Sequence, residues 1–451
     1  MKRKLFRSAV AGILAFVLLV GSGTFTKTTH ANEVTDWNLD AAILIEASTG
    51  KVLYAQNPDA LLGIASMTKM MTEYLLLEAV EEGRVSWDDQ YSVNDKTFEL
   101  SQDRALSNVP LRRDMQYSIQ ELYEAMAIYS ANAATIAIAE TIAGSEEEFV
   151  KMMNEKAAEL GLENYNFVNS TGLNNTDMKG YHPEGTGATD ENVMSARATA
   201  KLAHSLITEF PEVLETSSIP TKTFREGTDD AIEMDNWNFM LPSLVFGYEG
   251  VDGLKTGTTD FAGYTFTGTA KRGDMRLISV VMNATDENGV GSYAARFGAT
   301  ADLFDYGFNN FSMQEIVPAN YTVEGQETLP VGKGKEDSVA IESKDPIHMV
   351  VSNGQEEAYK PVLQLDEGLL NEAGELTAPI EKGEVVGSLT VDLGDDSLGF
   401  LDENSASSVH VDVVTTEGVE KANWFVLSMR AIGGFFGNVW DTVTSTVKGW
   451  F

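Results

Sequence analysis

What most restricts how this chain can fold is a change of texture near residue 311. Before it, from about residue 40, helical and strand patterns alternate. Ser66 to Glu82 (SMTKMMTEYLLLEAVEE) reads as an amphipathic helix ended by Gly83. Residues 118–142 read as two Ala-rich helical stretches meeting near Tyr129-Ser130, and 263–283 as a β-hairpin turning at Lys271-Arg272-Gly273. Beyond residue 311 come short alternating runs (HMVVSN, AYKPVLQLD, VVGSLTVDL and SVHVDVVTT) separated by Gly, Pro and Asp turns. The first tract predicts a mixed unit and the second a small β-domain. The length of 451 residues suits two folded units plus tails.

The two ends carry their own patterns. Residues 1–8 are basic, 9–20 form an apolar run, and a small-residue site follows at Thr29-His30-Ala31. That is the plan of a secretory signal peptide with cleavage before Asn32, because the apolar run is short for a bilayer span of about 20 residues. At the other end, Phe425, Met429, Ile432, Phe436, Val439, Trp440, Val443, Val447 and Trp450 fall on one helical stripe. Arg430, Asn438, Asp441, Ser445 and Lys448 lie opposite, so this segment is expected to lie in a membrane interface and not to cross it. A terminal helix docked on a domain core is the alternative.

Composition removes whole classes of function. With 68 acidic against 32 basic residues, the chain has a net charge of -36 and repels phosphate backbones, so no nucleic-acid partner is expected. The absence of cysteine excludes disulfides, thiol catalysis and Cys-based metal sites. Five histidines stand apart at 30, 182, 204, 348 and 410 without ligand spacing, so no metal or other cofactor is expected.

Three short motifs follow one another: Ser66-Met67-Thr68-Lys69, Ser130-Ala131-Asn132 and Lys255-Thr256-Gly257. Each alone is weak, and together they point to serine chemistry. Ser66 opens the predicted helix, near the positive end of its dipole, and Lys69 follows one turn later on the same face. A serine hydroxyl needs a base, and a lysine serves if burial and nearby cations lower its pKa. Ser130 falls at the break between helices, where its hydroxyl could bridge Lys69 to a leaving group. Lys255-Thr256-Gly257 precedes a predicted strand, with Lys255 supplying positive charge and Gly257 allowing a substrate backbone to approach.

This set, in this order, resembles that of penicillin-binding proteins and class A β-lactamases. With AAILIEASTGKVLYAQN, MNEKAAELGLENYNFVNSTGL and DGLKTGTTDFAGYTFTGTA around the motifs, the chain from about Ala41 onward is most similar to the low-molecular-mass D-alanyl-D-alanine carboxypeptidases of Gram-positive bacteria. The resemblance implies an α+β fold: an antiparallel sheet flanked by helices plus a helical subdomain, then a small all-β domain and an amphipathic C-terminal helix. It divides the chain into a signal peptide (1–31), a catalytic domain (32–310), a β-rich domain (311–420) and an anchoring helix (421–451). It implies Ser66 as the acylated nucleophile, Lys69 as its base, Ser130 as proton relay and Asn132 as holder of the substrate amide. Lys255 and Thr256 would face the substrate carboxylate, and the N–H groups of Ser66 and Thr258 would form the oxyanion hole. Arg296 aligns with a carboxylate-binding arginine, its alternative being a charge on a helix surface. The implied partners are a peptidoglycan stem peptide ending in D-Ala-D-Ala, β-lactams, and the outer face of the bacterial cell membrane.

The chain departs from that pattern in two places. Thr171-Gly172-Leu173 stands where many relatives have His-Gly-Leu, and Ala198 replaces an Asp. Three rival readings remain, one of them an endopeptidase or transpeptidase on the same scaffold. A β-lactamase would use Glu163 for deacylation, although Glu163 sits inside LGLENYNF, which resembles the carboxypeptidase segment. A silent wall-binding relative would keep the motifs without chemistry.

Overall fold

The structure, a computed structural model, describes residues 38–355, 358–393, 398–402, 409–425 and 427–429. Its first strand, β1 (Ala41–Glu46), is an unbroken apolar run up to Glu46, and it is buried on both faces. Ala41, Ile43 and Ile45 enter one core while Ala42 and Leu44 enter another, as the two-residue period of a strand requires. A tight turn leads to β2 (Val52–Gln56). The buried Glu46 carboxylate organises that turn, accepting from Ser48 N at 2.8 Å and Thr49 N at 2.9 Å.

Next comes a 3₁₀ turn, Ala65–Thr68, which runs into α1 (Lys69–Glu81). The expected two-faced helix is corrected here, because every residue from Lys69 to Leu77 is buried, polar Thr72 and Glu73 included. The cause is tertiary. Met70, Met71, Tyr74 and Leu75 pack into the core shared with β1, whereas Leu76 packs into the core of a helical subdomain on the other side. Each such side chain contributes roughly 1.5–3 kcal/mol by leaving water.

The helical subdomain contains α2 (Ile119–Tyr129) and α3 (Asn132–Ala143). Ser118 and Glu121 form a capping box that starts α2. Ser130, at φ 60, ends it in the left-handed region, and Ala131 begins α3 at once. The predicted break therefore exists, and it points the Ser130 side chain into the gap between helices.

Farther on are α4 (Ala196–Glu209), β3 (Val251–Thr259), β4 (Gly263–Arg272), β5 (Met275–Met282) and α5 (Tyr293–Asn310). The strands form one antiparallel sheet in the order β3-β4-β5-β1-β2. The β4–β5 turn falls at Gly273-Asp274, one step later than expected, because Arg272 still pairs with Met275. The Lys255 motif lies inside β3 and not ahead of it. β3 is the edge of the sheet, so one side of it is available to a ligand.

The remaining strands are β6 (Phe311–Val317), β7 (Thr328–Gly332), β8 (Ser338–Ser343), β9 (Ile347–Ser352), β10 (Lys360–Leu365), β11 (Leu376–Thr377), β12 (Val385–Asp392) and β13 (Val411–Thr415). β6 pairs with β9, and the others form a sheet in the order β10-β12-β13-β8-β7-β11. Val339 and Ile341 on β8 are buried with partly exposed neighbours between them, so alternation sets the inward face. The fold is thus the expected α+β unit with a β-rich C-terminal part.

One tract of that part reaches back. Val52 N donates to Gly399 O at 3.0 Å, Leu401 N donates to Gly50 O at 2.9 Å, and Leu401 is buried in the β1 core. The tract covers the edge strand β2, which would otherwise present unpaired backbone groups. At the C-terminal end, residues 424, 425 and 427–429 are helical, and Trp424, Phe425 and Met429 are exposed. The expected signal peptide, and the tail beyond residue 429, lie outside the described residues. No helix among the described residues is long and apolar enough to cross a membrane.

Candidate active site

Ser66 sits in the 3₁₀ turn that feeds α1, half-buried, between fully buried Ala65 and Met67. Ala65 has φ 46, a left-handed conformation that a side chain rarely adopts. Two glycines let other backbone close on this turn. A Cβ on Gly172, at φ +79, would stand 1.8 Å from Ala65 O, and one on Gly257 would stand 2.6 Å from Ile64 O. The Cβ side of Gly257 thus faces Thr265 and the protein's own turn at Ile64–Ala65.

The Lys69 amine has three neighbours. Asn132 Oδ1 at 2.8 Å and Thr171 O at 2.7 Å accept from it, and Ser66 Oγ lies 3.0 Å away. A neutral amine has two N–H groups and one lone pair. In that neutral form the two acceptors can hold both N–H groups, leaving the lone pair for the Ser66 hydroxyl. Burial, and then the charge of Lys255, hold the Lys69 pKa well below the usual lysine range. Thr171 takes part through its carbonyl, so its residue type carried no signal in the sequence.

Lys255, on β3, donates to Ser130 Oγ at 3.0 Å and to Thr256 O at 3.2 Å. Ser130 is thus bonded to Lys255 of β3, and no direct Lys69–Ser130 hydrogen bond is found among the described residues. Burial pulls the Lys255 pKa down to about 7, while Glu73 pulls it back up. Asn132 is committed on both sides, since its Nδ2 donates to Ser107 O at 3.1 Å.

Arg296 is buried in the first turn of α5, which excludes the helix-surface alternative. Its Nη1 donates to Gly257 O at 3.0 Å, Thr258 Oγ1 at 3.1 Å and Thr265 O at 3.2 Å. Its plane lies over Phe297, with 4.6 Å to the ring centroid. Burial lowers its pKa to about 10, which leaves it a cation at neutral pH.

A cleft of about 190 Å³ opens between these groups, lined by Ser66, Ser107, Ser130, Trp237, Thr256, Thr258, Tyr293 and Arg296. All nine residues singled out in the sequence meet in or directly behind it: Ser66, Lys69, Ser130, Asn132, Lys255, Thr256, Gly257, Thr258 and Arg296. Ser107, Trp237 and Tyr293 were missed, because they come from loops or helix starts with no motif around them. A larger cleft of about 440 Å³ lies elsewhere and holds Glu163, Arg197, Lys201 and Asp402 but none of the motif residues. Glu163 is exposed there, and its cleft shares no lining residue with that of Ser66.

A serine hydroxyl beside a buried amine of lowered pKa, with the Arg296 cation in the same cleft, fits an acyl-transfer site. Residues 26–286 match the family model described as D-alanyl-D-alanine carboxypeptidase, and residues 311–421 match that of the penicillin-binding protein 5 C-terminal domain. The chain belongs to the D-alanyl-D-alanine carboxypeptidase family. It is 32% identical to D-alanyl-D-alanine carboxypeptidase DacF of Bacillus subtilis, over 87% of this chain and 89% of the relative. It is 31% identical to DacC of Escherichia coli, over 99% and 97% of the two chains. Among solved structures, a peptidoglycan synthesis regulatory factor (PBP3) from Streptococcus pneumoniae matches with a TM-score of 0.70 and 34% identity, covering 86% of this chain and 100% of that one.

Proposed function

We propose that this protein is a serine-type D-alanyl-D-alanine carboxypeptidase that removes the terminal D-alanine of peptidoglycan stem peptides through an acyl-enzyme on Ser66. The observation that carries this reading is the buried Lys69 amine, hydrogen-bonded to Ser66 Oγ at 3.0 Å, Asn132 Oδ1 at 2.8 Å and Thr171 O at 2.7 Å, with burial holding its pKa well below the usual lysine range. Lys69 accepts the Ser66 proton as Oγ attacks the carbonyl of the penultimate D-alanine. The N–H groups of Ser66 and Thr258 receive the developing oxyanion. Ser130, held by Lys255, passes its proton to the departing amine as the C–N bond breaks, and the proton that Lys69 took from Ser66 returns to Ser130, so Lys69 is neutral again for deacylation. Lys255, Thr256 and Arg296 hold the terminal carboxylate, which gives a monoanionic substrate a cationic cleft in an otherwise acidic protein. Asn132 keeps a second lone pair on Oδ1 for the N–H of a substrate amide. Water then attacks the ester, with Lys69 again taking the proton.

Penicillin enters by the same route, but its leaving nitrogen stays tethered to the acyl group. The test is a diacetylated tripeptide ending in D-Ala-D-Ala together with intact-protein mass spectrometry. Stoichiometric D-alanine release and a penicilloyl adduct lasting minutes or longer are expected. Glu163→Gln should change neither, because its side chain lies outside the Ser66 cleft. Rapid turnover of penicillin that disappears in Glu163→Gln would make the protein a β-lactamase, and no reaction with either compound would make it a silent wall-binding relative.

The protein is further proposed to be exported, and to rest on the outer face of the cell membrane through the helix that begins near Trp424. The exposure of Trp424, Phe425 and Met429 supports this, since large apolar side chains each gain up to roughly 1.5–3 kcal/mol on leaving water. Val419 and Ala422 are buried in or against the β-rich part, so the tail is best removed after Asn423. A chain ending there is expected to release D-alanine normally and to be absent from membrane pellets, as is full-length Ile432→Asp/Val443→Asp. Pelleting of the shortened chain would place the anchor elsewhere.

A further inference from the structure

Trp237 and Tyr293 line the Ser66 cleft and have no part in the steps described above. Trp237 is half-buried and belongs to none of the hydrophobic cores formed by the described residues, so packing of the interior does not account for it. Polar ties hold it in place. Its chain neighbours Asn236 and Asn238 are both buried. Asn236 Nδ2 donates to Ser217 O at 3.0 Å and to Ile219 O at 2.9 Å, and its Oδ1 accepts from Asn238 N at 2.8 Å. Asn238 Nδ2 donates to Gly253 O of β3 at 3.2 Å, and Asn238 Oδ1 accepts from Met240 N at 3.2 Å. The indole Nε1 donates to Tyr129 O at 3.0 Å, the carbonyl just ahead of Ser130. Buried polar groups satisfied in this way fix one local arrangement. Trp237 is therefore tied to β3 through Asn238 and to the end of α2 through its own N–H. An aromatic row runs on from it. Phe239 lies 6.1 Å from the Trp237 ring, Tyr293 meets Phe239 edge-on at 5.5 Å, and the Arg296 guanidinium lies 5.2 Å from the Tyr293 ring centroid.

We propose that Trp237 is a specificity-determining residue, the wall against which the side chain of the departing D-residue packs, and that it restricts that residue to a small apolar one. This rests on the acyl-transfer reading of the Ser66 cleft given above. In that reading the departing residue is held at two points, its nitrogen by Ser130 and its carboxylate by Thr256 and Arg296. With both fixed, the chirality of its Cα sets the direction of its side chain. The aromatic row spans the same two points, since Trp237 is bonded to the residue before Ser130 and Tyr293 lies against Arg296. The only polar atom of an indole is its N–H donor, and Tyr129 O takes it, so the ring offers the cleft an apolar surface. The cleft measures about 190 Å³ and has to admit the reacting parts of two residues. A methyl group fits beside a ring fixed in this way, and a branched side chain is crowded by it.

The test compares kcat/KM of the full chain for diacetylated tripeptides ending in D-Ala-D-Ala and in D-Ala-D-Leu. The parent is expected to favour the first by at least about 30-fold, within the range that a few methylenes give in an apolar pocket. In Trp237→Ala that preference should fall by about tenfold or more, with an absolute gain for the D-Leu peptide and a loss for the D-Ala peptide. Trp237→Phe keeps a ring but lacks the N–H that holds Tyr129 O. It should slow both peptides together and leave the preference within about threefold of the parent's. A Trp237 that served only to hold the fold would lower both rates in proportion in Trp237→Ala, and that result overturns the proposal. So does a parent that cleaves the two peptides equally well, or a Trp237→Phe variant whose preference relaxes as far as that of Trp237→Ala. If Trp237→Ala does not fold, Trp237→Leu carries the same comparison with the same outcomes. A parent protein that neither releases D-alanine nor takes penicillin on Ser66 would instead remove the underlying reading, so the two failures are distinguishable.

Discussion

Ser66→Ala is expected to abolish labelling by fluorescent penicillin and to slow D-alanine release by at least about 10⁴-fold, since removing the nucleophile of an acyl-transfer unit disables the whole unit. The fold should survive. The Ser66 side chain is only half-buried, and its bond to Lys69 is one of three that the amine makes. Melting temperature and near-ultraviolet circular dichroism are expected to match the parent. Labelling that persisted in a folded variant would show that another residue is acylated.

Lys69→Ala should lower the rate of penicillin acylation by about 10³-fold, within the usual range for loss of a general base. The pH dependence separates this from mere loss of packing. Only the neutral amine can accept the Ser66 proton, so the parent's rate should rise with pH through the lowered Lys69 pKa. The variant should lack that rise. Stability carries the same sign. Below the ordinary lysine pKa the unfolded chain holds a proton that the folded Lys69 resists, and this cost fades as pH climbs toward that value. The parent should therefore gain stability on the alkaline side relative to the variant, as measured by denaturant unfolding at two pH values. Against this, the variant leaves Asn132 Oδ1 and Thr171 O without their lysine donor, at about 1–3 kcal/mol each. An acid limb unchanged in Lys69→Ala would remove lysine from the role of base.

Several features could be read directly from residue patterns because their causes are local. Ser118 and Glu121 start α2 by capping each other, and Ser130 with Ala131 breaks the helical run, all within a few residues. The alternating runs after residue 311 became strands because a two-residue period needs only neighbours to be visible. Features with distant causes were misread. α1 was taken for a two-faced helix, yet it lies between two cores supplied by segments far away in the chain. The contact of Gly257 with Ile64 O, almost two hundred residues earlier, likewise left no mark in the local pattern.

The sequence by itself determined the chemistry available: a serine, two lysines, a second serine, an asparagine and an arginine in a recognisable order, with no cysteine to compete. It also determined the class of fold, because hydrophobic period and turn residues act at short range. Only the tertiary structure decided which groups are charged and what each one holds. Lys69 is read as neutral because burial and Lys255 act on it together, and the two acceptors of its N–H groups come from α3 and the Thr171 loop. Ser130 is held by Lys255, a residue of the edge strand 125 positions later in the chain. Desolvation and Coulomb forces depend on distances through space, and motif spacing along the chain does not contain those distances.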